Sequence, residues 1–206
     1  QVISSRGCPL QCSFCLNNVV HAQLADKGPI YRRKSAPALI AEIVRLRRLL
    51  PQADTVFFAD DLFALDRDYV KEFCAGYRTA IGLPFMMDVF PFAIDDELAG
   101  ILAAAGCRTL MVAPETGNEQ HRRSLLGKPI SNTAFIEMAR IAHRHGLTVY
   151  ATTMFIYPEQ TVADAEATVA LLQAMHTDHP FKSYYLPYPG TPAFAHAVAH
   201  GCLSPA

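Results

Sequence analysis

Short runs of consecutive apolar residues, each followed by a stretch with helical periodicity, constrain this chain more than any other feature. The runs fall at about 1–6 (QVISSR), 55–59 (TVFFA), 84–90 (PFMMDVF), 109–113 (TLMVA), 148–157 (TVYATTMFIY) and 182–187 (KSYYLP). Several are apolar at successive positions instead of alternate ones, the pattern of a parallel strand covered on both faces. Between them, Ile40, Ile43, Val44 and Leu50 share one helical face, with Ser35 as a cap and Pro37 in the first turn. A second helix is expected over about 131–145, stopping at Gly146. A third, over 162–175, lines up Val162, Ala165, Val169 and Leu172, and Thr161 with Asp164 resembles a capping box at its start.

Six strands alternating with helices, with no internal repeat and no low-complexity linker, predict a single α/β domain with a parallel sheet. Six units are too few for a complete eight-stranded barrel, which leaves a partial barrel or an open doubly wound sheet. Both place functional groups at the carboxyl ends of the strands. Polar or Gly/Pro-rich segments recur at that end. A cysteine-rich loop follows the first strand, Ala59, Asp60 and Asp61 follow the second, and PETGNE (114–119) follows the fourth. YPEQT (157–161) follows the fifth and PYPGTP (187–192) the sixth.

Half of the 206 residues are hydrophobic, enough for one sizeable core, and a formal charge of -1 gives no electrostatic case for nucleic acid or membrane as partner. There is no apolar run of membrane-span length and no signal-peptide pattern, so the expected compartment is the cytoplasm. The chain opens on QVISSRG without Met and reads as a segment of a longer protein.

The loop SSRGCPLQCSFCLNN (4–18) packs Cys8, Cys12 and Cys15 into eight residues, whereas Cys74, Cys107 and Cys202 are scattered. That is not a disulfide framework, and the scattered three read as small buried hydrophobes. Structural zinc usually takes four protein ligands from two separated pairs, and here the nearest addition to three thiols is His21. Three thiolates are sufficient to hold three irons of a cubane cluster, with the fourth iron open to a ligand that is not protein. Gly7 and Pro9 suit a tight, turning backbone.

C-P-L-Q-C-S-F-C, a C-x3-C-x2-C motif with an aromatic before its last cysteine, resembles the radical S-adenosylmethionine (SAM) superfamily, and the similarity covers nearly the whole chain. Together, SSRGCPLQCSFC, FADDLF, APETGNEQHRRSLLGKPI and PYPGTP are similar to the branch that often carries an upstream cobalamin-binding domain. The resemblance implies a partial TIM-type (β/α)6 barrel spanning residues 1–206 as a radical SAM core domain. It implies a [4Fe-4S] cluster on Cys8, Cys12 and Cys15, with the amino and carboxylate groups of SAM on the open iron. Reductive cleavage would then yield a 5'-deoxyadenosyl radical, used for cobalamin-dependent methyl transfer or rearrangement if a cobalamin domain lies outside this segment. A small-molecule substrate and an electron donor of the flavodoxin or ferredoxin type are the implied partners.

Single positions carry over as well. Phe14 resembles the aromatic that lies near the adenine. Asp60 and Asp61 stand where many members have a Gly-Gly-Glu motif that holds the SAM amino group, and the glycines are absent here. Glu115 follows the fourth strand, where members bring a polar group to the ribose or methionine moiety, and Lys128 resembles a cationic position that can meet the SAM carboxylate. FIYPEQT departs from the usual Gly-x-Pro-Gly-Glu-Thr pattern, with Ile156, Glu159 and Gln160 at the two glycines and the glutamate. Arg6, Arg32, Arg33 and Lys34 read as a solvated basic rim. No general acid, general base or substrate residue is assigned. Two alternatives stand beside this reading: a non-catalytic iron-sulfur electron carrier, and a zinc-stabilised binding module on Cys8, Cys12, Cys15 and His21.

Overall fold

The computed structural model describes residues 1–204. Five strands, β3 (Val56–Phe58), β4 (Phe85–Asp88), β5 (Cys107–Glu115), β6 (Thr148–Phe155) and β7 (His179–Tyr184), form one parallel sheet in sequence order. Helices connect them: α3 (Arg67–Ala80), α4 (Asp96–Ala105), α5 (Glu119–Ser124) with α6 (Asn132–Arg144), and α7 (Val162–Ala174). This is the α/β parallel architecture expected from the apolar runs.

The first strand differs from expectation. Within 1–6 the contact with the sheet is a single parallel bridge, Val2 to Phe58, closed by Val2 N donating to Phe57 O (2.8 Å) and Ala59 N donating to Val2 O (2.9 Å). Beyond it the chain turns away, and β1 (Ser5–Arg6) pairs antiparallel with β2 (Arg32–Arg33), a two-residue strand too short to leave a periodic signal. Between those two strands lie the cysteine loop and α1 (Asn17–Leu24), and α2 (Ala36–Leu49) returns to the sheet. The basic rim is therefore partly structural: Arg33 lies 3.8 Å over the Tyr69 ring and pairs with Asp66 at 2.9 Å. Arg6, Arg32 and Lys34 are exposed as expected.

The caps read from sequence are present. Ser35 accepts from Ala38 N, Ser131 from Ala134 N, and Thr161 and Asp164 form a reciprocal capping box. Gly146 ends α6 at φ +69°. Two helical faces differ from the periodicity. On α2 the buried positions are Ala36, Leu39 and Ile43, with Leu50 exposed beyond the helix. On α7 they are Asp164, Thr168 and Leu171, while Val162 and Val169 face out. Hydrogen bonds from the loop after β5 to Asp164 and Thr168 set the rotation of that helix, overriding its apolar stripe.

The core is anchored where β3 and β4 meet α3. Phe58, Phe63, Phe73, Tyr77 and Phe85 are all fully buried, with ring centroids 4.9 to 6.3 Å apart and mostly tilted or edge-on. Such packing exceeds what area burial alone contributes and holds the carboxyl end of β3 rigidly. Cys74 and Cys107 are buried hydrophobes, as expected, but Cys202 is exposed, because it follows the last helix, α8 (Pro192–Ala199). Among the described residues no helix is long and apolar enough to cross a membrane.

The departure at FIYPEQT has a backbone meaning. Ile156 (φ +63°) and Glu159 (φ +68°) occupy the left-handed region at the two positions where glycine is the usual residue. A β-branched side chain is strained there, by roughly 1–2 kcal/mol. Ile156 is also 71% exposed, so it offers little packing in return. Ile156→Gly should therefore stabilise the fold by about 0.5–1 kcal/mol, after subtracting the entropy that glycine adds to the unfolded chain. A raised urea midpoint at unchanged slope is the expected result.

Candidate cofactor site at the strand ends

The cysteine loop begins at Gly7, whose φ of +83° and close approach to Ile30 O leave no room for a Cβ. Cys8 and Cys12 are buried and Cys15 is half-buried, all three as free thiols. Cys15 N donates to Cys12 O (3.0 Å) and Asn18 N to Cys15 O (3.1 Å), turning the loop into α1. Both the backbone N and the Nδ2 of Asn17 lie 3.4 Å from the Cys15 sulfur, so two donors converge on one thiol. Sequence reasoning did not single out Asn17. Phe14 is half-buried within the same turn.

Three elements clamp the loop. Ser13 N donates to Leu126 O (3.0 Å) and Ser13 Oγ to Leu125 O (2.6 Å), while Ala193 N at the start of α8 donates to Ser13 O (3.1 Å). Gly127, at φ +64°, packs its bare Cα against the backbone of Gln11, Cys12 and Ser13.

Asp60 anchors what precedes the loop. Its buried carboxylate accepts from Ser4 N (3.1 and 3.0 Å), Ser4 Oγ (2.7 Å), Ser5 N (2.5 Å) and Ser5 Oγ (2.5 Å). The neighbouring Asp61 is exposed. The two adjacent carboxylates thus occupy different environments, one sealed in a hydrogen-bond node and one free to face a ligand.

Glu115 and Lys128 form a buried pair. Glu115 ends β5 in the left-handed region (φ +64°), and Lys128 Nζ donates to its Oε1 (3.0 Å) and to Ala113 O (2.6 Å). Backbone strain of this kind gathers at functional sites. The turn that sets it up rests on Arg122, a fully buried guanidinium that donates to the carbonyls of Pro114 (2.8 Å), Ile130 (2.6 Å) and Thr116. Burial holds its pKa down to about 10. Gly117 closes the turn against α7, where a Cβ would lie 2.1 Å from Ala167 O.

The thiols feel these groups. Burial pushes the Cys12 thiol up to about 11, with Lys128 opposing and Glu115 reinforcing the shift. Burial likewise raises Cys8, with the charge of Asp61 adding to it. The cysteine loop, Asp61, Glu115 and Lys128 therefore share one rim of the sheet.

A cavity of about 410 Å³ opens on that rim, lined by Asp60, Asp61, Asp88, Phe90, Ala113 and Lys128 among others. Asp88 is a site residue the sequence reading passed over; its only signal was a lone acid inside the apolar run PFMMDVF. It ends β4, and burial, then the charge of Asp61, push its carboxyl up to about 7.

His21 lies on α1 with both ring nitrogens buried and without hydrogen-bond partners. Among the described residues, however, it forms no group with the loop thiols whose ligand atoms lie within 4.8 Å of one another. Sulfurs on a single zinc would lie about 4 Å apart, from Zn–S bonds of about 2.3 Å.

Two outcomes check these assignments. Asp60→Ala should destabilise the protein by about 3 kcal/mol in the absence of any ligand, because it strands buried donors of Ser4 and Ser5. Asp61→Ala should stay within about 0.5 kcal/mol; denaturant unfolding separates the two. For Asp88, the folded pKa is raised above the unfolded value near 4, so its contribution is fully present below pH 4 and is lost as pH rises towards 7. Asp88→Asn should then be more stable than the parent at pH 8, and the gap should close by about pH 4 when unfolding is followed across pH.

The sequence model of the radical SAM superfamily matches residues 2–172. An uncharacterized methyltransferase of Pyrococcus horikoshii, PH0819, is 23% identical over 203 residues, covering 98% of this chain and 42% of that protein. The bacteriochlorophyllide d C-12(1)-methyltransferase of Chlorobaculum tepidum is 21% identical over 195 residues, covering 94% of this chain and 41% of that protein. Among solved structures, the radical SAM methyltransferase TsrM from Kitasatospora setae, with cobalamin and a [4Fe-4S] cluster bound, superposes with a TM-score of 0.80 at 20% identity. That match covers 98% of this chain and 36% of TsrM, so the chain spans less than half the length of each of these three relatives. With the family's sequence model matched across most of its length, the chain belongs to the radical SAM superfamily.

Proposed function

We propose that this chain is the core of a cobalamin-associated radical SAM methyltransferase, with its cluster on Cys8, Cys12 and Cys15. The observation that carries the reading is three free thiols within eight residues of one loop, with no fourth cysteine in it, on the strand-end rim that also carries a cavity of about 410 Å³ bearing both signs of charge. Three thiolates leave one iron for an exogenous chelator. The methionine part of SAM carries an ammonium and a carboxylate, which match Asp61 and Asp88 on one side and Lys128 on the other. When bound, the reduced cluster supplies an electron to SAM.

The chain's own residues bind and orient. Asn17 donates two hydrogen bonds to the Cys15 sulfur and so orients it, while burial of Cys8 and Cys12 excludes water from the metal-binding face. Phe14 offers a face for the adenine. Glu115 holds Lys128 in place until a ligand carboxylate competes for it. Asp60 acts here through the loop it anchors. The names and lengths of the relatives support methyl transfer on a small-molecule substrate and a cobalamin-binding region outside this segment, and an electron donor of the flavodoxin or ferredoxin type completes the proposal.

The test uses the full-length protein, reconstituted anaerobically. Cys8→Ala, Cys12→Ala and Cys15→Ala should each abolish the four-iron cluster, while Cys74→Ala, Cys107→Ala and Cys202→Ala should keep it. Lys128→Ala should weaken SAM by roughly one to two orders of magnitude, the worth of a lost charged hydrogen bond. Reductive turnover is read as 5'-deoxyadenosine and as label from methyl-labelled SAM. A cluster-loaded protein that neither binds SAM nor yields either product would leave the electron-carrier reading in its place.

A further inference from the structure

Outside the strand-end cavity, Glu159, His196 and His200 bring three potential metal-ligand atoms within 4.8 Å of one another. We propose that these residues form a second, mononuclear site for a divalent metal of the zinc type.

The arrangement is built from both chain directions. His196 lies on α8 and His200, four residues on, is the residue that caps its carboxyl end, with the two ring centroids 4.0 Å apart. Glu159 comes from the turn after β6, in the left-handed region at φ +68°. Its Oε1 lies 3.2 Å from His196 Nε2 and 4.0 Å from His200 Nε2.

Two details favour a metal over a plain ion pair. His196 Nε2 is buried and has no aligned hydrogen-bond partner, despite its proximity to Glu159. His200 Nδ1 sits 2.9 Å from the carbonyl of His196, which can only accept, so Nδ1 carries the proton. In the neutral ring that leaves the Nε2 lone pair aimed at the site, the same outer hydrogen bond that orients metal-bound histidines. Two imidazoles and one carboxylate suit Zn²⁺, Ni²⁺ or Co²⁺, and the exposure of Glu159 and His200 leaves coordination positions for water.

An ion here would tie the β6–α7 turn to α8. The first turn of α8 holds Ser13 in the cysteine loop, so the site would brace that loop from outside without touching its thiols.

The experiment uses the full-length protein with its cluster loaded, so that the loop thiols are occupied. After dialysis against micromolar free Zn²⁺, metal analysis should find one zinc per chain beyond the iron, and zinc should raise the thermal midpoint. Glu159→Gln, His196→Ala and His200→Ala should each lose that zinc and the thermal shift while keeping the parent's iron content and far-UV spectrum. His200 and Glu159 are exposed, so their variants retain the fold. Zinc held equally by the His200→Ala and Glu159→Gln variants, or no zinc beyond the iron in the parent, would overturn the proposal.

Discussion

The carboxylate of Asp60 is the interaction on which the rest of this architecture depends. The amino-terminal segment touches the sheet through one bridge, Val2 to Phe58, and two backbone hydrogen bonds there cannot by themselves fix the path of the next twenty residues. The contacts from Ser4 and Ser5 converge on a buried anion that is itself held at the end of β3 by the aromatic core. Charge-assisted bonds in a buried setting are the strong kind, and they set where the cysteine loop begins. Everything downstream in that loop inherits its position from this node.

A second set of constraints fixes the loop after β5. Arg122 satisfies carbonyls that the turn would otherwise leave unpaired, and Thr168 and Asp164 on α7 accept from Gly117 and Asn118. Asp164 is held at about 2, chiefly by the amide of Asn118. These contacts explain how a non-glycine residue, Glu115, is kept in a left-handed conformation beside Lys128.

Much of this was legible from residue order, and for definite reasons. Consecutive apolar runs identified β3 to β6 because parallel strands are covered on both faces, and the caps Ser35, Ser131 and Thr161 declared their helices through local chemistry. The three loop cysteines stood out by spacing alone. Other features depend on contacts between distant segments and leave no periodic trace. The β1–β2 pair is two residues long, the rotation of α7 is set by polar contacts to another loop, and the role of Asp60 needs Ser4 and Ser5, more than fifty positions away. Asp88 was hidden by its apolar neighbours, because pattern reading treats an isolated acid in a strand as a strand end and not as a cavity wall.

The last strand of the sheet has a consequence for handling the molecule. Among the described residues β7 pairs on one side only, with β6, and Phe181, Tyr184, Leu186 and Tyr188 in and after it are exposed. An unpaired parallel edge flanked by aromatic side chains is a template for strand addition by another chain. With that edge open, the domain would be limited by colloidal behaviour more than by folding stability. Lysine or proline substitutions at exposed β7 positions would then improve its solubility without reaching the strand-end cavity.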